Sequence, residues 1–184
     1  MSKFYFLIVF ILCFSCKKIT KEELYFKYIG HRYYLKAKEN TDSQLPPLIF
    51  FKFTIKNLND SEKIFTCRRS KDDYIKSEMY IYDTIKKSKI ELFSSSIRFI
   101  KFREIVEIEA EINIRSNAEI FKLDKSFLKK LDYTGEKKKI DDILVRLKKN
   151  SVIIYSQDTS DLSYFRLQNS NITSLKKKDY KILW

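Results

Sequence analysis

Apolar and polar residues alternate along two long segments of the chain, and this period of two is the pattern of a half-buried β-strand. In the segment 49–56 every odd position is apolar. In 106–114 every even position is apolar, and Glu or Asn stands between. Shorter alternating stretches occur at 33–38 and 79–82. Strands with one buried and one wet face are typical of antiparallel sheets, so we predict a mainly β, antiparallel fold of the α+β class.

The pattern changes to helical spacing between residues 124 and 149. Ile140, Ile143, Leu144 and Leu147 follow one another at intervals of three, one and three positions, which places them on one face of a helix. We therefore predict a short helical segment near 124–149.

Two local signals predict how the strands begin and connect. Thr20 and Glu23 have the spacing of a helix capping box, which predicts one or two helical turns after them. The polar run 57–61 predicts a turn, after which the segment 63–68 returns as the second strand of a hairpin with 49–56.

Residues 49–114 resemble immunoglobulin-like β-sandwich domains of bacterial envelope proteins. The resemblance lies in a strand that ends in Asn57 and a polar turn, a polar hairpin from Asp83 to Lys89, and a charged step, Arg103-Glu104, before the last strand. It implies two antiparallel sheets packed face to face. The disulfide of antibody domains is not available, because the mature chain would keep Cys67 alone.

The amino terminus has the order basic, apolar, small, cysteine. Lys3 precedes an unbroken apolar run, 4–14, and Ser15 precedes Cys16. Eleven apolar residues fall short of the ~20 that a membrane-spanning helix needs, but they suit the core of a signal peptide. This order resembles bacterial lipoprotein signals, especially those of the Bacteroidota, although Cys13 and Phe14 depart from the preferred residues. A buried strand with an incidental cysteine and an uncleaved anchor are the two alternatives.

The resemblance implies cleavage before Cys16 and lipid on its sulfur, so we expect three parts. Residues 1–15 are the signal peptide, 16–24 a tether, and 25–184 a single β-rich domain. Two or more acyl chains hold a protein stably on a membrane. The expected location is the cell membrane or the outer membrane, with the domain facing the periplasm or the exterior.

The net charge of +13, with 29 Lys against 8 Arg, has two explanations. One is an anionic partner, and the other is AT-rich codon usage. Lys137, Lys138, Lys139, Lys176, Lys177 and Lys178 are the candidate contacts with anionic head groups, provided that both triplets lie on one face. Export disfavours nucleic acid as the partner.

The chain carries few candidates for catalysis. His31 is the only histidine, so we predict no catalytic role for it, no catalytic residue, no resident metal and no cofactor. Two glycines exclude Gly-rich phosphate loops. Cys67 is either a buried apolar residue or a thiol activated by Arg68 and Arg69. Thr84 matches the short Asp-Thr-apolar acceptor for O-glycosylation in the Bacteroidota.

The carboxylates leave two roles open. Asp72-Asp73 fits a turn, and Asp141-Asp142 fits the amino terminus of a helix, where negative charge is favourable. Either pair could instead bind a cation or take part in acid–base chemistry. The stripe Glu107, Glu109 and Glu111 fits a cation or basic partner, or a solvated sheet face paired with lysines.

These features favour a lipid-anchored, non-catalytic binding, structural or immunity-type module with a protein partner in the envelope. The alternative is an envelope hydrolase that depends on carboxylates. A clustered, buried carboxylate pair in a cleft would favour the hydrolase, and an exposed apolar patch would favour the binding module.

Metabolic labelling with a fatty-acid analogue tests the anchor directly. We expect the wild-type protein to be labelled and Cys16→Ala to remain unlabelled, because only the sulfur of Cys16 would accept the lipid. Cys13→Ala is the matched control and should keep the label. Equal labelling of wild type and Cys16→Ala would contradict lipid attachment at this position.

Overall fold

The computed structural model describes residues 23–36, 47–124, 132–158, 160–161 and 177–184. Within these ranges the chain forms nine strands and one α-helix, α1 (Lys137–Asn150). The strands are β1 (Leu24–Tyr34), β2 (Leu48–Asn57), β3 (Lys63–Phe65), β4 (Glu78–Asp83), β5 (Ser88–Leu92), β6 (Arg98–Ile100), β7 (Ile105–Asn113), β8 (Ser151–Asp158) and β9 (Lys177–Ile182).

The strands form three sheets within the described ranges, and all their pairings are antiparallel. One sheet has the order β1-β2-β7, a second has the order β5-β4-β8-β9, and β3 pairs with β6 alone. The predicted mainly β, antiparallel fold with a short helical segment is confirmed, and the two larger sheets are compatible with a β-sandwich.

The core lies between the two larger sheets. The inward residues of β2 are fully buried, as are those at the middle of β4 and β8. Aromatic rings join the sheets: Phe26 of β1 lies 5.1 Å from Tyr155 and 5.3 Å from Tyr180, between ring centroids. Phe65 adds a third contact, 5.0 Å from Tyr155. Such ring pairs contribute beyond the area that they bury.

Helix α1 covers one side of this core, as its spacing predicts. Ile140, Ile143, Leu144 and Leu147 are all buried. Lys148 and Lys149 occupy the last turn, where cations interact favourably with the helix dipole. The helix occupies the second half of the predicted segment 124–149; residues 125–131 lie outside the described ranges.

Three details differ from the sequence prediction. The residues after Glu23 form strand β1 and not helical turns, because Leu24 and Phe26 are buried while Tyr25 and Lys27 are exposed. Leu24, which we assigned to the tether, is therefore part of the domain. The strand within 63–68 is only β3, and it pairs with β6 because both edges of β2 are occupied by β1 and β7.

The domain has two distinguishable ends. At the end that we call the Glu23 end, the Glu23 carbonyl accepts a hydrogen bond from Leu58 N–H (2.8 Å), and Lys178 Nζ lies 3.6 Å from the Glu23 carboxylate. At the opposite end, the Asn150 end, Thr84 N–H donates to the Asn150 carbonyl (2.9 Å). The eight residues of β8 run between the two ends, a span of roughly 23 Å at ~3.3 Å per residue.

Buried Asn57 fixes the Glu23 end. Its Nδ2 donates to the carbonyls of Ser61 and Ile100, both at 2.8 Å, and its Oδ1 accepts from Asn59 N–H at 2.8 Å. One amide thus ties the end of β2 to its following turn and to β6.

Asn57→Ala should lower the free energy of unfolding by about 2 kcal/mol, because it leaves the buried Ile100 carbonyl and two part-buried backbone groups without the Asn57 amide. Asn59→Ala is the control, since its side chain bonds only the exposed Ser61; we expect a loss of about 0.5 kcal/mol. Denaturant unfolding measures both. Equal losses would show that Asn57 does not hold this end.

Candidate functional site

The outward face of the first sheet collects charged side chains in register. Directly opposite residues of an antiparallel pair point to the same side. Arg32 pairs with Phe50, which pairs with Glu111, and Lys52 pairs with Glu109. All of these face away from the core, because the alternate residues of β2 and β7 are the buried ones.

A cleft of about 530 Å³ opens beside this face. Strands β2 and β7 form one wall, and the segment 93–98 with Arg69 forms the other. The residues that line it include aromatic, hydroxyl and charged groups of both signs: Phe50, Lys52, Arg69, Phe93, Ser94, Ser95, Ser96, Arg98, Glu107, Ile108, Glu109 and Glu111.

The second wall is fixed to the edge of β7. Phe93 and Glu111 exchange two backbone hydrogen bonds, at 2.9 and 2.7 Å. Ser94 Oγ donates to the Glu109 carbonyl at 2.5 Å, and Ser94 N–H donates to the Arg68 carbonyl at 3.1 Å. These contacts make the cleft part of the folded framework.

Glu109 is held as an ionised group. Arg32 binds both of its oxygens, with Nε at 3.2 Å and Nη2 at 2.9 Å, and Lys52 Nζ lies 3.6 Å away. Hydrogen bonding by Arg32 lowers the pKa of Glu109. Arg32 also stacks over Phe50, 4.2 Å from the ring centroid, which sets the position of its guanidinium.

Glu111 differs from its neighbour along the same strand. It is half-buried, and this burial raises its pKa. Among the described residues, its side chain has no hydrogen bond or ion pair. The three glutamates of the stripe therefore differ. Glu109 is paired with Arg32 and Lys52, as expected for a solvated sheet face, whereas Glu107 is exposed and Glu111 faces the cleft.

His31 belongs to a different cluster, on the inward face of β1. Tyr28 Oη lies 2.7 Å from its Nδ1, and Tyr33 Oη lies 3.0 Å from its Nε2. Tyr33 O–H donates in turn to Asp141 of α1, which also accepts from Lys137 Nζ at 2.9 Å. Since Tyr33 uses its proton on Asp141, its oxygen accepts from His31, and the network assigns the Nε2–H tautomer.

A β-bulge creates this cluster. The register of β1 shifts between Tyr28 and Gly30, and Gly30 has a φ of +147°, a conformation that favours glycine. In a regular strand, residues three positions apart point to opposite faces; the unpaired residue Ile29 places Tyr28 and His31 on the same face. The bulge turns both rings toward α1.

The surroundings of His31 favour its neutral form. Burial lowers its pKa, as do Lys148 and Lys137, while Asp141 acts in the opposite direction. In the sequence, His31 belongs to no motif, and no local pattern indicates the bulge or the long-range contact with α1.

The two candidate lysine groups do not form one patch. Lys137 lies 5.1 Å from the Tyr33 ring, near the carboxyl end of β1, whereas Lys178 contacts Glu23, just before its amino end. The ten positions between Glu23 and Tyr33 span roughly 30 Å, well beyond a Debye length of about 8 Å. Lys138 and Lys139 flank Lys137 on α1, and Lys177 adjoins Lys178; Lys176 lies outside the described residues.

The remaining candidates are placed as follows. Cys67 is buried, and burial raises its pKa to about 12, so the packing interpretation is the one that holds. Asp73 organises a turn by accepting from the N–H groups of Arg69 and Ile75. Thr84 is exposed on the β4–β5 turn, where its hydroxyl donates to the Asn150 carbonyl at 2.8 Å. Cys16 lies outside the described residues.

No family model, curated protein or solved structure compared with this chain matches it significantly. Among the residues that the structure describes, no helix has the length and apolar character to cross a bilayer. The same residues contain no group of three or more His, Cys, Asp or Glu side chains arranged to hold a metal ion.

The lowered pKa of His31 makes stability depend on pH with a defined sign. Below about pH 6.5, the ordinary value, the unfolded chain takes up a proton before the folded protein does. Stability is therefore lost as pH falls below this value, with a slope of at most about 1.4 kcal/mol per pH unit from this group. We expect His31→Gln to flatten the pH dependence of denaturant unfolding between pH 7 and 5. Parallel curves for the two proteins would rule out this contribution.

Proposed function

We propose that this chain is a lipid-anchored cell-envelope protein whose β domain binds a protein partner, without catalysis, at the cleft beside β7. Lipid on Cys16 would hold it on the cell membrane or the outer membrane, with the domain facing the periplasm or the exterior. The observation that carries the binding role is the cleft itself, which is preformed and lined by charges of both signs.

The anchoring part is supported by the order of residues at the amino terminus and by where the domain begins. Lys3, the apolar run 4–14, Ser15 and Cys16 follow the order of a lipoprotein signal. Strand β1 begins at Leu24, only eight positions after Cys16. A lipid there would leave the folded domain close to the membrane surface.

The cleft has the dimensions of a binding site. Ligand pockets typically range from ~300 to ~1,000 Å³, and this one falls inside that range. Arg98 can receive a carboxylate of a partner, as can the Nη groups of Arg69, whose Nε binds Asp73 at 3.1 Å; Glu107 and Glu111 can receive its cations. Phe50 and Phe93 add apolar contact area.

The edge of β7 suggests how a protein partner binds. β7 is an outer strand of its sheet, and Phe93 pairs with it only at Glu111. The first half of β7 thus presents a strand edge to an extended peptide, which would gain backbone hydrogen bonds there and side-chain contacts in the cleft.

The side chains argue against catalysis in the cleft. Both oxygens of Glu109 are bound by Arg32, so this carboxylate is a poor nucleophile or base. His31 faces the opposite side of the sheet, and both of its ring nitrogens are hydrogen-bonded. Neither group is free to move a proton to or from a ligand in the cleft.

One observation favours the hydrolase alternative. The pKa of Glu109 is lowered and that of Glu111 is raised, and both residues line the cleft. Two carboxylates whose pKa values are shifted in opposite directions are typical of an active site in which one acts as base or nucleophile and the other as general acid. Because Arg32 binds both oxygens of Glu109, we rank the hydrolase below the binding role.

Site-specific photo-crosslinking in cells tests the binding role. A photoreactive amino acid at exposed Ser95, on the wall of the cleft, should give one discrete protein adduct. The same amino acid at exposed Ile85, at the Asn150 end, should give none. Arg98→Glu should reduce the Ser95 adduct about tenfold, because it reverses a charge in the cleft, whereas Lys86→Glu should leave it unchanged.

Identical adduct patterns from Ser95 and Ile85 would contradict a partner at the cleft. Release of sugars from envelope glycans by the purified protein, abolished in Glu111→Gln, would instead establish the hydrolase.

A further inference from the structure

Three large apolar side chains are exposed together at the Glu23 end. Tyr25 is 51% exposed, Phe102 43% and Ile105 60%. Tyr25 and Ile105 flank Lys56 in one row across the outward face of the first sheet, because Lys56 pairs with Tyr25 on one side and with Ile105 on the other.

The turn 101–104 places Phe102 at the same end of the domain as this row. Arg103 N–H donates to the Asn57 carbonyl at 2.9 Å, and Asn57 N–H donates to the Glu104 carbonyl at 3.2 Å. Leu58, the next residue, is bonded to Glu23. The turn, the end of β2 and the start of β1 are therefore tied together, and Phe102 projects from the same end as Tyr25 and Ile105.

Basic groups surround these apolar side chains. Lys101 and Arg103 flank Phe102 in sequence, and the Arg103 guanidinium lies 4.8 Å from the Phe102 ring centroid. Two nearby acidic groups are already engaged: Glu104 accepts a hydrogen bond from Lys101 N–H at 2.7 Å, and Glu23 lies 3.2 Å from Lys63 Nζ. Asp60 and Glu62 of the β2–β3 turn are exposed acidic residues in this region, as is Glu107, two positions after Ile105 on the same face of β7.

The chain between Cys16 and the domain is short. Seven peptide units separate Cys16 from Glu23, a reach of at most about 25 Å. Lipid on Cys16 would keep the Glu23 end within this distance of the membrane.

We propose that Tyr25, Phe102 and Ile105 dock onto the lipid surface, with Lys101 and Arg103 on anionic head groups. This inference rests on the proposed anchor at Cys16. Exposed apolar side chains rimmed by cations bind the boundary between head groups and acyl chains. A membrane is the occupant because the patch lies where the anchored chain enters the domain.

Docking would fix the position of the cleft relative to the membrane. Ile105 and Glu109 are four residues apart on β7, and Glu111 is two further. At ~3.3 Å per residue, the centre of the cleft would stand roughly 13 to 20 Å from the docked row.

Fluorescence quenching in vesicles tests the docking. The full lipidated protein is reconstituted into vesicles of phosphatidylglycerol and phosphatidylcholine whose acyl chains carry bromine. Phe102→Trp should lose about half of its added fluorescence, relative to the parent with Trp184 alone, because the new indole would lie in the bilayer boundary. Ile85→Trp is the matched control on the exposed β4–β5 turn at the Asn150 end, and its added fluorescence should be unchanged.

The basic groups have a matched control as well. Lys101→Gln with Arg103→Gln should weaken the quenching of Phe102→Trp, and Lys86→Gln with Lys87→Gln should not. Arg103 and Lys87 both have positive φ, so the two pairs perturb similar turns.

Flotation separates the two ways of failing. A parent protein that does not float with the vesicles contradicts the anchor, and the docking with it. A protein that floats but shows equal quenching at positions 102 and 85 contradicts the docking alone.

Discussion

The alternation of β2 is the constraint on which the rest of the structure depends. Its odd residues, Ile49 to Ile55, are fully buried, and a shift of one position would place them all in water. The strand is therefore held in one register with β1 and β7 on its two sides. The same register decides which side chains meet on the outward face, so the composition of the cleft follows from packing on the other side of the sheet.

Patterns with one clear period were predictable from the sequence. β7 has polar residues at every outward position after Ile105, and α1 has apolar residues on one face, so both were found. Most of β1 was missed, and only its last two residues fall in the alternating stretch 33–38, because β1 carries aromatic residues on both faces, Tyr25 as well as Tyr28 and Tyr33. The pairing of β3 with β6 was not predictable, because nothing in a local pattern states which edge of β2 is already occupied.

The candidate site was predictable only in part, for the same reason. The glutamates of β7 were visible as a stripe. Arg69 and the serines at 94–96, which line the cleft, and Arg32, which binds Glu109, come from separate segments that only tertiary structure brings together. The environment of His31 depends on one inserted residue at Ile29, and no motif marks a bulge of this kind. The role of a side chain cannot be predicted from a single sequence when that role depends on which strands pair with each other.

The two faces of β1 separate two kinds of chemistry. On the inward face, hydrogen bonds link Tyr28, His31 and Tyr33 to Asp141 of α1. Because both ring nitrogens of His31 are used in this network, it stabilises the packing and leaves no free base. On the outward face, Arg32 positions the cleft carboxylate Glu109 while Tyr25 lies at the Glu23 end. Under the proposed anchoring, a single strand runs from the membrane side to the cleft. The orientation of the cleft would then be set by a hydrogen-bonded strand, and the short chain from Cys16 would need only to keep the domain near the surface.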